Sequence, residues 1–402
     1  MKQKKLMLLG GIRYLLPAIE TAHKHDYYVI TVDNVPDNIA HKYSDEYHNV
    51  SIIDNEAILS LAKRLQIDGI LSYAVDPGVI TAAYVAEKMG LPFTCSYDAA
   101  CILQDKARFR QFLSENGFNV PTAKGYTNVE DALNDVNLFH WPVIVKPVDS
   151  AGSKGVSRVD TVKDLQLAIS HALEVSHKKQ FIIEDLIECE GLPSGTECFA
   201  VNGELKYNGF YDQYYDYNAA NPYTPSAECW PSNKEERYIE EIRSELQRLL
   251  NLLNIKTGIL NVEWRVNTEG KCYLMEVSPR AGGNRLAEML RIATDVDIID
   301  AEIQKSLNEP HLNIHEPKYS GYYAIMVLHS KKNGIFKGLK IKNIFKKKFV
   351  IEEEIRVKFN DSVESFTGAN AAIGSIFLKF QDRQECNFFL PKLDRYINVI
   401  VE

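Results

Sequence analysis

Several absences narrow this chain before any motif is considered. No run of about 18 consecutive apolar residues occurs, so a membrane-spanning helix and a membrane partner are not expected. The opening Met1-Lys-Gln-Lys-Lys followed by Leu6-Met-Leu-Leu-Gly-Gly resembles a signal peptide only superficially. Its apolar part is too short and Arg13 follows at once, as in a first β-strand entering a glycine turn. No CxxC pair is present, and the seven cysteines are scattered and odd in number. That predicts reduced thiols in a cytoplasmic protein, not a disulfide framework or a zinc site. GxGxxG is missing, so a nicotinamide cofactor is not favoured, and GxxxxGK[ST] is missing, so there is no Walker A loop. Positive charge is not in excess either: the net charge of −8 gives no reason to expect nucleic acid as a general partner. Internal repeats and long disordered tracts are also absent.

What remains is an ordinary globular composition, 45% hydrophobic and 25% charged over 402 residues. That length suits two or three domains at roughly 100–200 residues each. From Lys5 to about Pro92, strands (Leu6–Leu9, Tyr28–Asp33, Gly69–Tyr73) alternate with helices (Tyr14–Lys24, Glu56–Gln66, Val79–Met89), which predicts a parallel, doubly wound sheet. Gly10-Gly11 falls where the first strand meets its helix, the usual ligand crevice of such sheets. Asp33 ends the second strand and, without a glycine fingerprint, reads as a strand-end acid more readily than a ribose ligand. Ser96 to Gly117 reads as one helix. Mixed strands and helices follow from Val120 to about Leu307, and short β-like runs from about Pro317 to Glu402.

The most informative stretch is Asn261-Val-Glu-Trp-Arg-Val, then Asn267-Thr-Glu-Gly, then Lys271-Cys-Tyr-Leu-Met-Glu-Val-Ser-Pro-Arg280. It reads as two strands joined by a turn, pairing Val266 with Lys271 and Glu263 with Leu274. Alternation puts Val262, Trp264, Val266, Tyr273, Met275 and Val277 on one face. Asn261, Glu263, Glu276 and, if the extended chain continues, Ser278 and Arg280 take the other. Glu263 and Glu276 become diagonal neighbours with Cα atoms roughly 7–8 Å apart. Converging carboxylates repel unless a cation lies between them, and Mg²⁺ held this way usually also holds substrate phosphates. The competing reading is a solvated strand face.

A second constellation is Val143-Ile-Val-Lys-Pro-Val-Asp-Ser-Ala-Gly-Ser-Lys-Gly155, a strand running into a Gly/Ser loop. Glycines let successive backbone amides approach an anion, and Lys146 at the strand end could reach the same phosphates. The competing reading is a mobile surface hairpin. Third, Phe181-Ile-Ile-Glu184-Asp-Leu-Ile187 is an apolar strand ending in an acid and an apolar link suited to an adenine edge. Gly195-Thr-Glu197 begins another strand, with Glu197 a candidate for ribose hydroxyls.

In chain order, Asp105-Lys106, Lys146 before the glycine loop, Glu184-Asp-Leu-Ile187, Gly195-Thr-Glu197, Glu263 and Glu276-Val-Ser-Pro-Arg280-Ala-Gly-Gly-Asn284 resemble the ATP-grasp superfamily, in particular its carboxylate–amine ligases. The resemblance covers nearly the whole chain. It implies an N-terminal doubly wound α/β domain (1–95), a helical linker (96–119), and an ATP-grasp core of two α+β subdomains (120–310) whose nucleotide-binding lid occupies about 120–185. A small C-terminal sheet-rich subdomain (311–402) follows. It also implies ATP and one or two Mg²⁺ ions, with Mn²⁺ as a substitute. By the same resemblance Lys106 and Lys146 contact the α- and β-phosphates, and Gly152, Ser153 and Gly155 close over the β/γ end. Glu184, Asp185 and Ile187 form the segment at adenine, and Glu197 holds the ribose. Glu263 and Glu276 ligate Mg²⁺, and Arg280 stabilises the transferring phosphoryl group. Gly282, Gly283 and Asn284 shape the acceptor site.

Two departures stand out. Ser278 occupies the position of a frequent metal-ligating Asn, which predicts a weaker second metal site. The long spacing from Ile187 to Gly195 makes Glu188 or Glu190 alternatives to Glu197 at the ribose. The implied activity joins a small-molecule carboxylate to an amine through an acyl phosphate, releasing ADP and phosphate. Its rivals are a purine-pathway or carboxylase-type enzyme using bicarbonate or formate, and a non-catalytic ATP-binding regulator. A homodimer is the commonest oligomeric expectation.

Three further features suit structural roles better. The tyrosine-rich run Tyr207–Tyr223 (Tyr211, Tyr214, Tyr215, Tyr217) reads as strand and turn, with a loop facing the site as the alternative. Lys331 to Lys348, with eight lysines, reads as a solvated hairpin whose lysines protect an edge. Arg291 is either a substrate-carboxylate ligand or a helix-surface residue.

Overall fold

A computed structural model describes residues 3–309 and 312–402. The N-terminal sheet is parallel, in the order Glu46–His48, Tyr28–Val32, Lys5–Leu9, Gly69–Leu71. Leu6 to Leu9 are wholly buried because helices cover both faces of such a sheet. Asp33 accepts hydrogen bonds from the Val35 amide (3.1 Å) and Asn38 Nδ2 (3.0 Å), so it builds the turn after its strand.

The stretch read as one helix from Ser96 to Gly117 is two, Tyr97–Leu103 and Lys106–Glu115. Asp105 is the reason. Its carboxylate caps the second helix by accepting from the amides of Ala107 and Arg108 at 3.1 and 3.2 Å, a geometry that requires an extended residue at the cap. Lys106 thereby becomes the first helical residue, and its own amide donates to the Val148 carbonyl at 3.0 Å.

A small antiparallel sheet, ordered Ala123–Tyr126, Phe181–Asp185, Val143–Pro147, Ser157–Val159, is backed by the helix Leu165–Val175. The rest of the chain is organised by one eight-stranded antiparallel sheet. Its order is Cys272–Ser278, Gly258–Val266, Ser194–Val201, Glu204–Tyr215, Pro225–Trp230, Tyr322–Leu328, Gly374–Phe380, Val350–Ile355. Residues 312–402 are sheet-rich, but three of their strands extend this sheet. Only Ser362–Val363, Gly334–Ile341 and Ile397–Val401 make a separate one. The lysine-rich stretch is not a hairpin. It is the strand Gly334–Ile341 followed by the helix Asn343–Phe349, which buries Phe345 and Phe349 and leaves Lys346, Lys347 and Lys348 exposed. Among the described residues no helix is long and apolar enough to cross a membrane.

Candidate functional site

The acidic pair sits on the two strands nearest one edge of the central sheet. Glu263 and Glu276 are direct register partners, not diagonal neighbours, because the register slips between Glu263 and Trp264. Trp264 then pairs with Leu274, and Met275 is the extra, bulged residue. The bulge reverses the alternation on its strand. Cys272 and Leu274, not Tyr273, join Val262, Trp264, Val266 and Val277 in the core cluster, and Met275 is buried outside that cluster. The freed Met275 carbonyl accepts from Arg110 Nη1 at 2.8 Å.

Charge is concentrated around this pair. Lys106 Nζ lies 3.3 Å from Glu276 Oε1 and donates to the Ser150 carbonyl at 2.8 Å. Burial and the neighbouring Glu276 both raise the pKa of Glu263. Burial also acts to raise Glu276, but Lys106, Lys146 and Arg280 outweigh it and hold that carboxyl below its usual range. Among the described residues no hydrogen-bond donor reaches the Glu263 carboxylate. Two in-register carboxylates, one of them without a partner, fit a hard cation with oxygen ligands.

Lys146 and Glu184 form a buried ion pair across adjacent strands of the small sheet, and Arg110 Nε closes the triad on Glu184 Oε2 at 3.0 Å. Burial works against the Glu184 charge, but Arg110 and Lys146 pull its pKa down to about 2. Lys146 falls to about 8, chiefly through burial, with Arg110 and Lys106 adding to the effect and Glu184 opposing it. A lysine of this kind loses its charge as pH rises through the folded value. ATP affinity is therefore expected to decline above about pH 8 in wild type. Lys146→Arg, whose guanidinium stays protonated, should abolish that decline. Titrating an ATP analogue from pH 6.5 to 9.5 tests this; parallel curves for the two proteins would remove Lys146 as the titrating group.

The glycine loop bends through Gly152, Ser153 and Gly155 at φ of 67°, 58° and 73°. The Ser153 hydroxyl is committed to the Tyr223 carbonyl (2.9 Å), and Asn221 Nδ2 donates to the Ser153 carbonyl (3.0 Å). The Asp185 carboxylate accepts from the His140 amide (2.8 Å) and His140 Nδ1 (2.9 Å), so that side chain fastens the turn before the strand Val143–Pro147. The link through Ile187 is tied to the same turn by the Leu186 amide on the Pro142 carbonyl at 3.2 Å.

Arg280 is held by a residue the sequence reading passed over. Nε and Nη2 make a bidentate pair with Asp76 at 2.8 Å each, while Nη1 donates to Asn261 Oδ1 (3.1 Å) and the Ala281 carbonyl (2.8 Å). Asp76 follows the strand Gly69–Leu71, at the carboxyl edge of the parallel sheet where ligand crevices form. The signal was available in Asp76-Pro-Gly at that edge. Ser278 is 1% exposed, donates to Asp76 Oδ1 at 3.2 Å and accepts from Gln104 Nε2 at 2.6 Å. Its hydroxyl joins the Arg280–Asp76 network and is not free to ligate a metal.

Glu197 is 0% exposed. Its two oxygens take the Asn261 amide group and the Gly282 amide (3.0 Å), and burial pushes its pKa up to about 7. It therefore supports the Gly282 loop, with both oxygens already engaged. A Cβ at Gly282 would lie 2.5 Å from Leu286 and 2.6 Å from Glu197, so the loop needs glycine there. Next along, Asn284 Nδ2 donates to Glu228 Oε1 at 3.0 Å and Tyr14 donates to Asn284 Oδ1 at 3.3 Å, which joins the N-terminal unit to this loop. The tyrosine run is mainly the strand Glu204–Tyr215. Tyr211 lies over Gly195, where a Cβ would meet its ring at 2.4 Å. Arg291 lies 3.8 Å from Asp297.

Residues 113–297 match the family described as D-ala D-ala ligase C-terminus. Over its full length the chain superposes on the L-amino acid ligase of Bacillus licheniformis with a TM-score of 0.81 at 19% identity, covering 100% of both chains. Phosphoribosylglycinamide synthetase of Anaerococcus prevotii gives 0.74 at 20% identity, again with 100% coverage of both. Among curated sequences, the carbamoyl phosphate synthase large chain of Pseudothermotoga lettingae is 26% identical over 296 residues. The matched region is 70% of this chain but only 26% of that relative's length. The family match is confined to residues 113–297, and the full-length superpositions show a fold shared with these two enzymes.

Proposed function

We propose that this chain is an ATP-dependent ligase that activates a small-molecule carboxylate as an acyl phosphate and joins it to an amine, releasing ADP and phosphate. The observation that carries the reading is the in-register Glu263–Glu276 pair, with Lys106 beside it and the Arg280 charge near enough to act on Glu276. A carboxylate is a poor electrophile because its charge repels a nucleophile and its leaving group is poor. Phosphorylation removes both obstacles, and the protein's part is to position the reactants and neutralise charge.

Glu263 and Glu276 would hold Mg²⁺, which supplies charge neutralisation between the phosphates when bound. Lys106 and Lys146 would steady the phosphate oxygens. The glycine loop would contribute backbone amides, since the Ser153 hydroxyl is already engaged. The backbone around Glu184 and Ile187 would meet adenine. Glu188, exposed on the link to the next strand, is the ribose candidate in place of buried Glu197. Arg280, locked by Asp76, would keep its charge at the transferring phosphoryl group without a reorganisation cost.

The test is ADP release by the purified chain with Mg²⁺ against amino acids, small acids, bicarbonate and formate, singly and paired with amines. Release that needs both an acid and an amine supports the ligase. Turnover with bicarbonate or formate alone transfers it to the carboxylase type, and tight ATP binding with no turnover for any pair makes it a regulator.

A further inference from the structure

A cavity of about 590 Å³ opens on the face of the central sheet opposite the Glu263–Glu276 pair. Glu263 pairs with Gly195, and Gly195 with Tyr211, so these share one face. Tyr214 stands three residues further along its strand and takes the other face. It pairs with Ala227, and Ala227 with Met326. These three floor the cavity, and Leu393 and Val399 close the far wall from the short helix Leu390–Arg395 and the strand Ile397–Val401. A space of this size suits a small organic molecule, and such sites typically set a few polar groups beside an apolar floor.

The polar groups sit at the mouth. His329, Lys331 and Lys332 lie there with one acid, Asp216. His329 Nε2 and Lys331 Nζ are each 3.2 Å from Asp216 Oδ2, and the Asn218 amide donates to Asp216 Oδ1 at 2.9 Å. That acid is fully engaged, and Lys332 forms no ion pair among the described residues. Asp394, the second acid of the lining, is exposed on the opposite wall. The same residues anchor a clasp on the glycine loop. Asp216 opens the stretch in which Asn221 Nδ2 donates to the carbonyls of Ser153 (3.0 Å) and Thr367 (3.1 Å), and in which the Tyr223 carbonyl accepts from the Ser153 hydroxyl (2.9 Å). The Asn221 amide donates to the Phe366 carbonyl at 2.9 Å, and the Phe366 ring stacks on His329 with centroids 4.3 Å apart. His329 and Asp216 therefore brace both segments that grip Ser153.

We propose that this cavity is an effector site for a small organic monoanion with an apolar body, such as an aryl or alkyl carboxylate, and that filling it weakens nucleotide binding at the glycine loop. The apolar body lies on Tyr214, Met326 and Val399, and the carboxylate pairs with Lys331 and Lys332. Lys331 is thereby drawn off Asp216, and the clasp on Ser153 loosens. A nucleotide that needs the clasp closed opposes this change, so each ligand lowers the affinity of the other by the same factor. The inference goes beyond the ligase reading and needs only that a nucleotide meets the glycine loop.

The test measures binding to the full chain by calorimetry, with 3-phenylpropionate and octanoate as probes and with 3-phenylpropan-1-ol and 3-phenylpropylamine as their uncharged and cationic counterparts. At least one acid is expected to bind wild type with a Kd of about 1 mM or tighter, and about 5-fold or more better than the alcohol and the amine. Lys332→Gln should shrink that preference by about 3-fold. Saturating acid should weaken binding of a non-hydrolysable ATP analogue by about 5-fold or more. Val399→Phe, which fills the cavity, should abolish acid binding and its effect on the analogue, with affinity for the analogue alone unchanged. Asn398→Trp, at an exposed position of the lining, serves as a second filler should Val399→Phe lose its fold. Equal affinity for acid, alcohol and amine, acid binding undiminished in the folded filler variant, or analogue affinity unmoved by saturating acid would each overturn the proposal. Acids that enter the site at Arg280 instead would keep their effect in the filler variants, which also overturns it. An ATP analogue that fails to bind at all sinks the nucleotide reading and the coupling with it, while acid binding in wild type and variants still decides the cavity.

Discussion

Glu276→Gln is expected to lower substrate-dependent ADP release by about 10³-fold or more, the scale on which charge-stabilising groups act in phosphoryl transfer. The substitution keeps size and shape but removes the charge that faces Glu263 across the strand pair. Fold should survive it, because the side chain is only partly buried and its partner, Lys106, retains the Ser150 carbonyl. Melting temperature and turnover should therefore separate: the first near wild type, the second close to background. Near-normal turnover at saturating Mg²⁺ would remove Glu276 from the metal site.

The second large effect is on stability. Glu184→Ala leaves Lys146 and Arg110 as buried cations without their shared partner, a change expected to cost about 3–5 kcal/mol. The small sheet and nucleotide affinity should weaken together, since the same carboxylate ties Lys146 to the helix that carries Arg110. Denaturant unfolding and titration with an ATP analogue measure the two effects. An unchanged unfolding midpoint would mean that the triad does not support the small sheet. The sign with pH follows from the depressed carboxyl. Its folded pKa of about 2 lies below the ordinary 4.5, so the stabilisation is present above the ordinary value and is lost as pH falls through the folded one.

Local pattern made a good deal of this molecule readable. Strand–helix alternation at the N-terminus, the hairpin bearing Glu263 and Glu276, and the glycine loop after Lys146 all depend on periodicity and turn chemistry a few residues apart. What was misread locally had local causes that pattern does not register. Asp105 splits a helix because its side chain prefers to cap, and the bulge at Met275 shifts alternation by one residue and exchanges Tyr273 for Cys272 and Leu274 in the core.

Side-chain partnership across the fold was the part out of reach. Nothing near Arg280 in the chain points to Asp76, 204 positions away, nor anything near Ser278 to Gln104, 174 away. Glu197 and Glu188 look alike as letters, yet one is sealed beneath the Gly282 loop and the other is exposed.

The sequence by itself determined which elements form, which residues could carry charge to a phosphate, and their order along the chain, because propensity and spacing are short-range properties. Tertiary structure alone decided which of those groups are already spent on one another, as Ser278, Asp185 and Glu197 are, and which stay open, as Glu263 and one oxygen of Glu228 do. Hydrogen bonds and burial are settled by whichever strands and loops meet in space, and that meeting is set by the whole chain's packing.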